Sequence, residues 1–115
     1  MALKILAHPT DDKRKASVIT TTYADGAWDV IDIRGFANFT IMVTGALTGT
    51  AHIMVNDEET GTFSRLYALG SSAAAAITTI PADVNQAYDI PELAGCHYLT
   101  FSNATGGTIK IMGKV

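Results

Sequence analysis

The chain has 115 residues, 48% of them hydrophobic and only 17% charged, with a formal net charge of −3. That length supports one domain whose core needs neither metal nor disulfide. Charge falls short of a usual share of about 25%, and Thr, Ala and Gly, residues of pleated surfaces and turns, take its place. The acidic balance excludes general nucleic-acid binding, which takes a basic face, and no run approaches the roughly 20 apolar residues of a membrane helix. The lone cysteine, Cys96, has no partner for an internal disulfide and reads as a buried structural thiol.

Residues 1–15 read as an N-terminal arm, and 16–115 as a single domain. In the arm Leu3, Ile5 and Ala7 alternate with Lys4 and Leu6, a hint of a short strand that Pro9 ends. A mixed cluster follows, with Lys13, Arg14 and Lys15 after two aspartates. The apolar run is too short for a secretion signal and runs into charges, so the expected place of synthesis and folding is a cytoplasm. The arm has two readings, a solvated terminus or a segment that pairs with a neighbouring chain.

Strand signals then come at close spacing. Ser17 to Tyr23 is β-branched, and Asp25-Gly26 is a strong two-residue turn signal leading into Trp28 to Ile33. The stretch from Phe39 to Val55 is the most regular. Phe39, Ile41 and Val43 alternate with Thr40 and Met42, a turn runs from Gly45 to Gly49, and Ala51, Ile53 and Val55 alternate with His52 and Met54. This pattern predicts a β-hairpin. Its second face, with Met42, His52 and Met54, is weakly polar and suits contact with another layer or subunit. Further strands are expected at 62–69, 77–80, 84–90, 97–102 and 108–112, the last two as a second hairpin around Asn103 to Gly107. The small-residue run 70–76 reads as a crossover or loose edge. The sum is eight or nine short strands and no amphipathic helix, which predicts an all-β, antiparallel, jelly-roll-like β-sandwich.

Chemistry leaves no signature. His8, His52 and His97 lie in different elements without a second His or Cys at ligand spacing. Asp57, Glu58 and Glu59 lack the regular spacing of a calcium loop. Nothing nominates two of Asp29, Asp32, Asp57, Glu58, Glu59, Asp89 and Glu92 as a facing carboxylate pair. No phosphate loop, dinucleotide fingerprint or nucleophile elbow is present. His97 beside Cys96 does not read as a nucleophile pair, because adjacent strand residues point to opposite faces. Two N-x-T sequons, at Asn38 and Asn103, read as accidental without a secretory signal. Trp28 and Tyr23, Tyr67, Tyr88 and Tyr98 offer either a sugar-stacking platform or, more simply, core and rim packing. The expectation is a non-enzymatic protein with no cofactor and no metal.

The run FTIMVTGALTGTAHIMVNDEETGTFSRL, with Leu47-Thr48-Gly49-Thr50, Asn56-Asp57 and Gly61-Thr62-Phe63 at its turns, resembles small β-sandwich structural proteins of tailed bacteriophages. The ending YLTFSNATGGTIKIMGKV is similar to the closing hairpin of those domains. The resemblance spans 33–115. The D-G pair usual in the charged turn is here Asp57-Glu58-Glu59. What it implies is a virion component made in the host cytoplasm: a capsid decoration, or cement, protein bound to the outside of the head. Its partners would be the major capsid protein or another virion protein, and further copies of itself as a dimer or trimer, with no nucleic acid and no membrane. A tail, fibre or baseplate module is the alternative, and a carbohydrate-binding module a second. For partner contact the candidates are Leu3, Ile5, Leu6, Lys13, Arg14 and Lys15 in the arm, with Met42, His52 and Met54.

Overall fold

The computed structural model describes residues 3–5, 17–66, 79–82 and 84–114. Among these described residues ten strands run in chain order: β1 Leu3–Ile5, β2 Ser17–Thr22, β3 Val30–Asp32, β4 Asn38–Gly45, β5 Ala51–Asn56, β6 Ser64–Arg65, β7 Thr79–Ile80, β8 Ala87–Asp89, β9 Tyr98–Ser102 and β10 Thr108–Lys114. They form two sheets. Sheet I has the order β1-β3-β9-β5-β6, with β7 also beside β5, and sheet II the order β2-β10-β4-β8. Every pairing is antiparallel except β1 with β3, which is parallel.

From β2 to β5 the chain changes sheet at every step, and it does so again from β8 to β10. That winding is a jelly roll. The all-β sandwich expected from the strand grammar is therefore the fold observed.

Alternation explains the core. Phe39, Ile41 and Val43 of β4 and Ile109 and Ile111 of β10 point inward from sheet II, where they meet Ile31, Ala51, Ile53 and Leu99 of sheet I, all at most 3% exposed. Each isoleucine so buried contributes about 2 to 3 kcal/mol against leaving it in water. The one fully buried threonine of β2, Thr21, has its hydroxyl satisfied by donating to Asp29 Oδ2 at 2.8 Å.

Both expected hairpins are corrected. β4 pairs with β10 and β8, while β5 pairs with β9, β6 and β7, so Phe39 to Val55 spans two sheets rather than one ladder. The same holds for β9 and β10, which lie in different sheets. The reason is in the connectors. Leu47 and Ala104, one in each, are 7% and 2% exposed, so each connector folds over the end of the core instead of looping into water. The two connectors then bind one another, Thr48 N donating to Thr105 O at 2.8 Å and Thr105 N to Thr48 O at 3.0 Å. Asn103 Nδ2 adds a bond to Thr50 O at 3.0 Å.

The Asp25-Gly26 turn forms as expected. Both residues have positive φ (53° and 82°), and Ala24 and Ala27 exchange backbone hydrogen bonds of 3.0 and 3.1 Å across it. Leu3–Ile5 of the expected arm is the parallel edge strand of sheet I, laid on β3 of the same chain.

Candidate interaction surfaces

The residues that carry chemistry are held in structural work. Asp29 accepts from Thr21 and pairs with Lys4 Nζ at 3.0 Å. Asp32 accepts both Arg34 Nε and Nη2, at 3.0 and 2.7 Å, and that guanidinium holds its carboxyl below the usual carboxylate range. Asp89 accepts from Thr40 Oγ1 at 2.8 Å. Asp57, Glu58 and Glu59 lie exposed in a loop that Asn56 closes on itself, its Nδ2 bonding Thr60 O at 3.0 Å. Among the described residues no three of His, Cys, Asp and Glu gather as metal ligands.

Cys96 and His97 line one recess of about 290 Å³ with Asp57 and Ser64. Strand alternation does not separate them, because β9 begins only at Tyr98. The Cys96 thiol is pushed up by burial, away from the thiolate a nucleophile needs. His97 Nδ1 lies 3.2 Å from the backbone oxygen of Asp57, a contact that tethers the loop.

Trp28 is 3% exposed and donates Nε1–H to Ala104 O at 2.9 Å. Tyr23 and Phe101 meet it edge-on, with ring centroids 5.8 and 5.7 Å away. A ring enclosed this way cannot stack a sugar, so Trp28 serves the core. The Tyr98 ring is covered by the Arg34 guanidinium, 5.3 Å from its centroid. Tyr67 lies outside the described residues, as do Leu6, Lys13, Arg14, Lys15 and the run 70–76.

What remains is surface. Met42 and the pair His52 and Met54 do not share a face, because β4 and β5 belong to opposite sheets. On sheet II the outward rows are Val18, Met112, Thr40 and Asp89, then Thr20, Lys110, Met42 and Ala87. Val18 is 54% exposed, while Met42 and Met112 are half-buried. These two rows, apolar and threonine-rich, carry one cation and one anion.

On sheet I the outward row through Met54 runs to Arg65 on one side and Thr100 on the other, and His52 sits opposite Thr79 and Ser102. Burial, then the Arg65 charge, holds the His52 imidazole below its ordinary range. This face is more polar and better filled, with Thr100 only 7% exposed. Leu3 and Ile5, 40% and 63% exposed, stand at its far edge.

The signal that would have separated the two faces is Met112. It lies in the last expected strand, 108–112, yet placing that strand beside Met42 requires the sheet order, which local pattern does not carry. No protein family, curated protein or solved structure matches this chain.

Proposed function

We propose that the protein is a non-enzymatic structural component of a phage virion, a decoration protein that docks on the outside of the head and stabilises it. The observation that supports this best is the outer face of sheet II, where Val18, Met42 and Met112 set three apolar side chains on two adjoining rows. Such a face suits a protein partner better than a small ligand or a nucleic acid. Four strands about 4.8 Å apart and about six residues long present on the order of 400 Å². That is about half of what a standard interface takes from each partner, so lasting attachment calls for several such contacts at once.

The jelly-roll winding agrees with the resemblance carried by Leu47 to Thr50 and Gly61 to Phe63. An acidic chain favours the outer surface, since an inward position would face packaged DNA of the same sign. Binding to the assembled shell and not to its separated subunits would stabilise the shell by mass action.

The test is direct. Purified protein is expected to co-sediment with expanded capsids to a fixed number of copies per shell, and to raise the temperature at which the shells release DNA. If it sediments with tails instead, the tail or baseplate reading replaces this one. No association with any virion part rejects both.

A further inference from the structure

Of the open sheet edges among the described residues, one differs from the rest. β1 and β8 are three residues long, β6 and β7 two, and β1, β6 and β8 carry Lys4, Arg65 and Asp89 respectively. Short, charged edges are how sheets avoid pairing with other chains. β2 is six residues, SVITTT, with no charge and no proline.

The hydrogen-bond phase of sheet II shows which groups that edge offers. Phe39 O and Val43 O accept from Ile90 N and Asn85 N, on the β8 side of β4. By alternation Thr40 and Met42 bond β10, so Ile109, Ile111 and Gly113 of β10 turn their backbone groups to β2, opposite Thr21, Ile19 and Ser17. Val18, Thr20 and Thr22 are left pointing outward. Lys4 Nζ bonding Thr20 O at 2.9 Å, from the opposite sheet, agrees with this phase.

We infer that β2 is a self-pairing edge: two copies join antiparallel, Thr20 opposite Thr20 and Val18 opposite Thr22, across a two-fold axis. Three observations choose a second copy as the occupant. The strand is self-complementary, since this register sets β-branched residues against each other, and the Lys4 ammonium that reaches Thr20 O near the axis is neutralised by Asp29. Each outward residue can exchange both backbone bonds with its opposite, about six in all, Thr20 O accepting a second bond beside the one from Lys4 Nζ.

The third is the placement of exposed apolar side chains. Leu3, Ile5 and Val18, three of the four large exposed hydrophobics among the described residues, lie on the flank where β1 and β2 stand together. Pairing there would bring them beside the joint in both layers. It would also fuse two outer faces of sheet II into one eight-stranded surface of about 800 Å², the size a standard interface takes from one partner. The pairing does not depend on that surface meeting a capsid, so the two proposals fail separately.

Sedimentation equilibrium of the full chain, from about 2 to 200 µM, tests it with three variants. The wild type is expected to form dimers within that range, since a joint of one strand and its flank falls below standard size. Thr20→Lys sets like charges at the axis, and Thr20→Pro removes an outward N–H that no intramolecular bond uses. Each is expected to weaken dimerisation at least tenfold. Thr44→Lys, on β4 away from the edge, is expected to leave it unchanged. If Thr20→Pro does not fold, amide exchange decides: Val18, Thr20 and Thr22 should exchange more slowly as wild-type concentration rises. A wild type monomeric at 200 µM, a closed trimer, dimers undisturbed by Thr20→Lys, or exchange at these amides independent of concentration would overturn the inference.

Discussion

Gly107 shows how little room the end of the sandwich has. Its φ is +83°, and a Cβ placed there would sit 2.6 Å from Ala46 O and 2.7 Å from Gly45 O, both rigid backbone atoms. Gly107→Ala therefore combines a left-handed conformation with a clash that cannot relax locally. A loss of about 3 kcal/mol is expected, seen as a fall of roughly 10 to 20 °C in melting temperature. Gly26 has a similar φ but no atom within 4 Å of its added Cβ, so Gly26→Ala should lose only about 1 kcal/mol. Two titratable groups divide the pH range. His52 is held below its ordinary pKa of about 6.5, by burial first and the Arg65 charge second. The unfolded chain therefore takes up the proton first, and the stability His52 supports above that value is lost as pH falls through the lowered one. Urea midpoints from pH 7.5 to 5 should fall in the wild type and flatten in His52→Gln. Asp32, lowered chiefly by its hydrogen bond from Arg34, acts on the same sign further down. Its contribution is present above about pH 4 and lost below, so Asp32→Asn should lower stability on the neutral plateau and converge with the wild type in acid.

Between elements, the connectors 46–50 and 103–107 hold the two sheets in phase. Their mutual bonds give the amides of Thr48 and Thr105 protection unusual for turns. Both are expected to exchange on the timescale of global unfolding, whereas ordinary loop amides exchange freely. The edge strand β1 is held more lightly. Lys4 pairs with Asp29 near the surface, its side chain 37% exposed, so Lys4→Ala should cost under about 1 kcal/mol. Strand positions were legible because alternation marks them: Phe39, Ile41, Val43, Ala51 and Ile53 are all buried as their period-2 spacing required. Pairing was not legible. Two consecutive strands alternate in the same way whether they share a ladder or face each other across a core. The burial of Leu47, the residue that makes an arch of the connector, is invisible in a window that reads only as a glycine-bounded turn. Asp25-Gly26 was recoverable because positive φ at two successive residues is a local demand.

At the scale of the molecule, sheet order decides which candidate residues act together. Met42, His52 and Met54 looked like one patch in the sequence. In the fold Met42 joins Val18 and Met112 on sheet II, and the other two join the polar face of sheet I. The chemistry of contact was thus visible residue by residue, while its location awaited the topology. Under the proposed function, the outer face of sheet II is the docking face. A binding titration on expanded capsids with Met42→Lys, Met112→Lys and Met54→Lys tests it most directly, each variant first checked for wild-type melting behaviour. Met42→Lys and Met112→Lys are expected to weaken binding at least tenfold and Met54→Lys to change it less than twofold. Loss of binding confined to Met54→Lys, or equal binding by all three, would contradict the claim.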